Sequence, residues 1–122
     1  MKEHEIQDRI RVALSSIEGE GFVLRLNSGS AWGGDKIIDT PEYGRVLLNP
    51  RKIALCPEGT PDLLYIGEKG LVAWVEVKDA KGKAREAQKR FIELMHRLGH
   101  RAGIARSPED ALKIVGGTKE NV

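Results

Sequence analysis

Two short apolar runs near the middle of the chain constrain its fold more than any other feature. They cover residues 61–66, "PDLLYI", and 71–77, "LVAWVEV", and the connection "GEKG" between them has glycine at both ends. Short apolar runs joined by a few residues that include glycine are typical of two antiparallel strands in a hairpin. Because helical patterns lie on both sides of this hairpin in the sequence, we expect an α/β protein.

Hydrophobic periodicity and turn signals place the remaining elements. The sequence predicts a helix at residues 3–17, a strand at 22–27, a helix at 84–98, a strand at 100–105 and a helix at 107–115. The apolar stripe of the helix at 84–98 consists of Ala84, Ala87, Phe91, Leu94, Met95 and Leu98. Ser107 is expected to cap the last helix, with Pro108 at its first position. This order predicts a mixed sheet flanked by helices, of the α-β-β-β-α-β type.

Residues 28–58 lack a clear period, and we interpret them as an irregular insertion that contains a hairpin. The hairpin is predicted to turn at Asn49-Pro50, a turn signal between two apolar runs. Its role stays open between a dimer arm, a DNA clamp or both. Trp32 and Tyr43 are expected to pack within the protein, with stacking on nucleic-acid bases as the alternative.

The composition is that of one globular domain, residues 1–122, with residues 116–122 as a flexible tail. No apolar run approaches the roughly 20 residues of a membrane helix, and the charged N-terminus does not resemble a secretion signal. The single cysteine, Cys56, cannot form an internal disulfide, and we interpret it as a loop or strand-end residue rather than a nucleophile. The expected location is therefore the cytoplasm, and not outside the cell.

Charged residues stand at one end of the predicted hairpin. Side chains alternate along a strand, so Glu76 and Lys78 point to the same face. If the two strands pair across "GEKG", Asp62 approaches Glu76 at the open end of the hairpin. An exposed strand could carry such charges on its solvent face, but charges inside a sheet need a partner.

Two carboxylates and an ammonium group at one strand end suit a hard divalent cation. Mg²⁺ prefers carboxylate oxygens and polarises its bound water, and a neighbouring lysine can orient or deprotonate that water. Phosphodiester hydrolysis requires these parts. Residues 78–90 add six basic side chains against two acidic ones, a patch that could follow a phosphate backbone or be a solvated helix face.

Five short motifs then occur in a fixed order: "EHEIQ", "LNSGS", "GTPD", "EVK" and "AQKRF". In this order and spacing they resemble the virus-type replication-repair nuclease (VRR-NUC) domain of the PD-(D/E)xK nuclease superfamily, over nearly the full length of the chain. The resemblance implies a restriction-endonuclease-like core, in which the hairpin at 28–58 is an insertion.

The resemblance also implies roles for individual residues. Asp62, Glu76 and the backbone carbonyl of Val77 would bind Mg²⁺ or Mn²⁺. Lys78 would be the catalytic lysine. Gln88, at the margin of the apolar face of its helix, would support the site.

The first helix would contribute one more acid to the catalytic set, and two residues compete for this role. Glu3 lies three residues before Ile6, on the apolar stripe, whereas Glu5 points away from that stripe at about 100° per residue. We favour Glu3, although stabilisation of the helix N-terminus would also explain an acid there.

The activity that the resemblance implies is that of a metal-dependent, structure-selective DNA endonuclease, similar to a Holliday-junction resolvase. Stand-alone members of the family are compact, often phage-borne homodimers, which implies DNA repair or recombination in a bacterial or phage-infected cell. The expected DNA-binding residues are Asn27, Ser28, Lys81, Lys83, Arg85 and Lys89. The alternatives are a restriction or DNA-end-processing nuclease and a non-catalytic DNA-binding module of the same fold.

Overall fold

Three helices and eight strands are formed by residues 1–117, the part of the chain that the computed structural model describes. The helices are α1 (Glu3–Ser15), α2 (Glu86–Arg97) and α3 (Pro108–Val115). The strands are β1 (Gly21–Arg25), β2 (Ser30–Gly33), β3 (Lys36–Thr40), β4 (Gly44–Leu48), β5 (Arg51–Ala54), β6 (Leu63–Gly67), β7 (Val72–Val77) and β8 (Arg101–Ala105). Of the tail predicted at 116–122, residues 118–122 lie outside the described residues.

A four-stranded mixed sheet with the order β1-β6-β7-β8 forms the centre of the fold. The β6–β7 pair is antiparallel, with Leu63 opposite Val75, and a 3-10 turn at Glu68–Gly70 connects the two strands. This confirms the predicted hairpin across "GEKG". β7 and β8 are parallel neighbours, connected through α2. The carboxyl ends of β7 and β8 therefore meet at one edge of the sheet.

The two faces of the sheet are covered by different helices, which confirms the predicted flanked mixed sheet. One face packs against α1 and α3 in an apolar core that includes Ile10, Leu63, Val75, Val77 and Ile114, all with 0% exposure. The other face packs against α2 through Ile92, Met95, Ala102 and Ile104, with Trp74 and Phe91 beside them. None of the helices in the described residues is long and apolar enough to cross a membrane.

The buried face of α2 differs from the predicted stripe. Its buried residues are Gln88, Ile92 and Met95, whereas the predicted stripe members Leu94 and Leu98 are 41% and 62% exposed. Gln88 therefore lies on the buried face and not at its margin. Ile92, which the predicted stripe omitted, carries the packing that Leu94 and Leu98 were expected to supply.

Residues 30–54 form a two-stranded arm, in which β2 pairs with β5 and β3 pairs with β4. The prediction that the hairpin turns at Asn49-Pro50 is wrong, because the chain reverses between Thr40 and Gly44. Thr40 closes this turn by accepting a hydrogen bond from the Tyr43 amide at 2.9 Å. Asn49, in the left-handed region at φ 52°, instead stands between β4 and β5, where the arm changes from one pair of strands to the other.

The expected packing of Trp32 and Tyr43 is also not found, since these side chains are 64% and 77% exposed. Both belong to the arm, which contributes no residue to either apolar core cluster. The base of the arm is closed by a bridge between Ser28 and Cys56, and Cys56 is a half-buried free thiol.

Candidate active site

Asp62 reaches the sheet edge through a turn that requires glycine. Gly59 has φ +90°, and a Cβ atom there would lie 2.5 Å from the carbonyl oxygen of Ala87 in α2. The turn therefore packs directly on α2 only because Gly59 has no side chain and tolerates the left-handed region. Asp62 directly follows the buried pair Thr60-Pro61, and its Oδ2 accepts a hydrogen bond from the Val77 amide at 2.9 Å.

Glu76 is the most unusual residue of the sheet, because its side chain is 3% exposed and is charged in its ordinary form. Its Oε1 accepts a hydrogen bond from Gln88 Nε2 at 3.0 Å and lies 3.7 Å from Lys78 Nζ. Its Oε2 is buried and accepts no hydrogen bond from the described residues, although the Glu76 carboxyl, when protonated, can donate a hydrogen bond to the neighbouring Asp62 carboxylate. Buried polar atoms are almost always paired, so an oxygen in this state needs an explanation such as a bound ion or water.

The electrostatics of this position favour the protonated carboxyl. Burial, then the negative charge of Asp62 and a side-chain hydrogen bond to Asp62, together raise the pKa of Glu76 to about 8. Lys78 lowers this pKa, and Glu3 raises it slightly. The protein has therefore brought acidic groups together at a buried point where one lysine does not balance them.

Gln88 joins the second helix to this cluster through both ends of its amide. Its Oε1 accepts a hydrogen bond from the Arg85 amide at 2.9 Å, which caps the start of α2, and its Nε2 donates to Glu76. Because the Gln88 amide is hydrogen-bonded at both ends, it fixes the position of Glu76 Oε1. The other carboxyl oxygen of Glu76, Oε2, is thereby also held in one orientation.

Lys78 follows the last residue of β7 and is mostly buried, with 13% of its side chain exposed. Its amide donates to the carbonyl of Ala105, which extends the β7–β8 pairing by one step. After Lys78 the chain leaves the sheet in the basic loop, residues 79–85, which leads into α2. Asp79 Oδ1 organises the first half of this loop by accepting hydrogen bonds from the amides of Lys81 and Gly82, at 3.0 and 2.6 Å.

Of the two acids proposed for α1, Glu3 is the one whose charge acts on the Glu76 carboxyl. Both Glu3 and Glu5 are exposed in the first turn of the helix, so burial does not distinguish them. One turn after Glu3, Gln7 is buried at 9% exposure. The predicted site acid and this buried amide therefore lie on the same side of α1.

The predicted DNA-binding residues surround the cluster. The amide of Leu26 donates to the Asp62 carbonyl at 2.8 Å, so Asn27 and Ser28, which are exposed, begin beside Asp62. The other four lie along the basic loop and the first turns of α2: Lys81, Lys83, Arg85 and Lys89. Lys81 and Lys83 are exposed, whereas Arg85 lies 3.9 Å from Glu58 and Lys89 lies 3.7 Å from Glu86.

The donor set fits a hard cation with water in its coordination sphere. Within residues 1–117, no three His, Cys, Asp or Glu side chains form a group that could hold a metal ion by themselves. A cation at Asp62 and Glu76 would also need the Val77 carbonyl and water as ligands, which is how Mg²⁺ commonly binds. The unpaired buried Oε2 of Glu76 is the observation that favours such a cation.

Sequence reasoning missed Arg106, which follows the end of β8. Its Nη1 donates to the carbonyls of Asp79 and Gly82, at 2.5 and 2.7 Å. Only the parallel pairing of β7 with β8 brings it next to the loop after Lys78. Once this pairing is known, the position of Arg106 follows, because residues after adjacent parallel strands meet at the same edge of a sheet.

Taken together, a mixed sheet flanked by helices and an Asp-Glu-Lys cluster at its edge define a restriction-endonuclease-like fold. The VRR-NUC domain family model matches residues 26–109, more than half of the chain, and the chain belongs to this nuclease-type family. A solved structure described as a VRR_NUC domain is similar to this chain with a TM-score of 0.57 and 20% sequence identity, over 94% of this chain and 95% of that chain. No curated protein matches the chain.

Proposed function

We propose that this domain is a Mg²⁺- or Mn²⁺-dependent DNA endonuclease that cuts branched DNA, with four-way junctions as the substrate class. The observation that carries this proposal is the buried carboxylate of Glu76, whose Oε2 is unpaired and whose neighbours are Asp62 and Lys78. Membership in a nuclease-type family supports the reaction class.

The residues have separable tasks in this proposal. Asp62, Glu76 and the Val77 carbonyl hold the cation, which when bound supplies an activated water and charge stabilisation at the phosphate. Lys78 Nζ, 3.7 Å from Glu76 Oε1, orients this water or places positive charge beside the phosphate. Gln88 holds the Glu76 carboxylate in position through a hydrogen bond, and Glu3 adds negative charge from the side of α1.

The substrate backbone follows the positive surface next to this cluster. Lys81 and Lys83 are exposed on the basic loop, and Asn27 and Ser28 are exposed near Asp62, so phosphates on both sides of the cut can be contacted. Such contacts position the DNA without reading its sequence, which suits selection by structure.

A homodimer is part of the proposal, because two symmetric nicks in a four-way junction require two sites related by a two-fold axis. The arm is the surface that we assign to this contact. Its exposed apolar side chains include Trp32, Ile37, Tyr43 and Ile53, and its two arginines form the ion pairs Asp35–Arg51 and Asp39–Arg45. A two-stranded ribbon of this kind is only marginally stable alone in water, so contact with the arm of a second copy would stabilise it.

The test is to incubate the protein with labelled four-way junction, flap and linear duplex, with and without Mg²⁺. Paired symmetric nicks in the junction that require Mg²⁺ and disappear in Lys78→Ala would support the proposal. Cutting of linear ends or flaps in preference to the junction would favour an end-processing or restriction-type nuclease.

Binding to DNA without any cut in Mg²⁺ or Mn²⁺ would instead favour a DNA-binding module. Gel filtration provides the matching test of assembly, since a monomeric mass at assay concentration would contradict the dimer. The reaction belongs to the interior of a bacterial or phage-infected cell in this proposal, where branched DNA and reducing conditions occur together.

A further inference from the structure

We propose that Arg106 is a positioning residue that holds the catalytic lysine in place through Gly82. This inference rests on the proposed function for the role of Lys78, and on contacts of the described residues for the connection. The Arg106 guanidinium donates to backbone carbonyls of the basic loop, and the predicted site does not include this residue.

The first step of the connection is the pair of hydrogen bonds from one guanidinium nitrogen. Arg106 Nη1 donates to the carbonyl of Asp79 at 2.5 Å and to the carbonyl of Gly82 at 2.7 Å. Hydrogen bonds from a charged donor are stronger than neutral ones. Both ends of the tight turn after Lys78 are thus tied to β8, the neighbouring strand.

The second step is the contact between Gly82 and the catalytic side chain. A Cβ atom on Gly82 would lie 3.2 Å from Cδ and 3.5 Å from Cβ of Lys78. The backbone of Gly82 therefore packs along the aliphatic stem of Lys78. When Arg106 fixes Gly82, it also limits the rotamers that the lysine can adopt.

The third step is the anchoring of Arg106. Its amide donates to Asp110 Oδ2 at 2.9 Å, in the first turn of α3, and the preceding Ala105 carbonyl accepts from the Lys78 amide at 3.1 Å. The arginine backbone is thus fixed to both α3 and Lys78. A loop that carries exposed lysines is in this way attached to the rigid part of the fold.

The experiment compares Arg106→Gln and Arg106→Lys with Arg101→Gln as the matched control. The guanidinium of Arg101 also donates to a backbone carbonyl, that of Val115, but Arg101 is the first residue of β8, whereas Arg106 follows its last residue. Two readouts are measured: amide hydrogen exchange of Lys81 and Gly82, and the single-turnover cleavage rate at saturating junction DNA.

We expect Arg106→Gln to raise the exchange of these two amides and to lower the cleavage rate, each about tenfold. Arg106→Lys should recover part of both, and Arg101→Gln should change neither. In a Lys78→Ala background, Arg106→Gln should cause little further loss of cleavage, because it acts through the lysine. If Arg106 had a purely structural role, Arg106→Gln would lower the cleavage rate by the same factor in the wild-type and Lys78→Ala backgrounds.

Unchanged amide exchange in Arg106→Gln, or a full tenfold further loss in the Lys78→Ala background, would overturn the inference. Gly82→Ala supplies an independent variant, expected to slow cleavage by displacing the Lys78 stem while the protein stays folded. If the wild-type protein cuts no DNA at all, the proposed function fails, but the exchange measurement still decides whether Arg106 holds the loop.

Discussion

The two faces of β7 are made by alternate residues of one strand, yet they obey different physical rules. Towards α1 and α3, the strand presents Ala73, Val75 and Val77, each with 0% exposure in an apolar core. Towards α2, it presents Trp74 and Glu76, of which Glu76 is as buried as the valines but has an unpaired oxygen. The first face stabilises the fold, and the second buries a carboxyl group whose ionised form is unfavourable unless a cation binds beside it.

The comparison separates stability from activity along a single strand. Removing a buried methyl group from the apolar face should weaken the fold and leave the chemistry intact. Neutralising a charge on the polar face should abolish the chemistry and leave the metal-free fold equally or more stable. The following variants test this separation, from the largest expected effect to the smallest.

Lys78→Ala should lower the single-turnover cleavage rate by about 10²–10⁴-fold, the range for loss of a positioned proton-transfer or charge-stabilising group. Its melting temperature should stay close to that of the wild type. Lys69→Ala, at the exposed turn between β6 and β7, is the matched control and should cut normally. Equal cleavage rates in Lys78→Ala and Lys69→Ala would show that Lys78 is not part of the active site.

The metal-free protein should lose stability as the pH rises from about 4.5 to about 8. Glu76 is protonated in the fold up to a pKa of about 8, whereas the unfolded chain releases this proton near 4.5. The unfolded state thus binds fewer protons over this window, and the free energy of unfolding falls with pH by an amount on the order of a few kcal/mol.

Urea denaturation at pH 5 and pH 8 with a chelator present measures this fall. Glu76→Gln carries no titrating group at this position, so its stability should change much less between the two pH values. A wild-type protein that becomes more stable towards pH 8 would contradict the assigned burial of Glu76.

Val75→Ala should lower the free energy of unfolding by about 2 kcal/mol, because it removes buried apolar atoms and leaves a cavity. Val72→Ala, at a half-buried position of the same strand, should cost less. Both variants should cut DNA at the wild-type rate well below their melting temperatures. A large loss of activity in Val75→Ala would show that the two faces are not separable.

Gln88→Met should have the smallest effect, a loss of about 1–2 kcal/mol in stability, since it leaves the Arg85 amide and Glu76 Oε1 without their partner. Gln88→Glu keeps an acceptor for the Arg85 amide and should recover the helix cap. Both variants should cleave more slowly than the wild type, because neither side chain can donate a hydrogen bond to Glu76. Thermal melts and cleavage assays of the two variants separate capping from site support.

The same contrast explains which features could be predicted from the sequence. Alternation along residues 71–78 places Glu76 and Lys78 on one face, and turn signals at "GEKG" pair the strands, so the position of Asp62 next to Glu76 follows from local rules. The apolar face can be predicted from the hydrophobic pattern alone. These parts of the fold depend on interactions between residues close in the sequence, so they can be predicted from it.

Features that depend on tertiary neighbours could not be obtained in this way. The apolar residues Leu94 and Leu98 fit a helical stripe, but α2 instead buries Gln88 and Ile92, and Gln88 donates a hydrogen bond to Glu76. Asn49-Pro50 is one of two turn signals in the arm, but the chain reverses at the other, residues 40–44, where the hydroxyl of Thr40 closes the turn. Arg106 becomes relevant only when the parallel register of β7 and β8 is known.

The central claim is that the polar face of β7 is built for a divalent cation, and a calorimetric titration of the metal-free protein with Mn²⁺ at pH 7 tests it most directly. Glu76, with a pKa of about 8, is mainly protonated before binding, so the wild-type protein should bind Mn²⁺ and release a proton. Glu76→Gln should bind at least about tenfold more weakly without this proton release. The exposed control Glu93→Gln should match the wild type, and equal Mn²⁺ affinity in Glu76→Gln would contradict the claim.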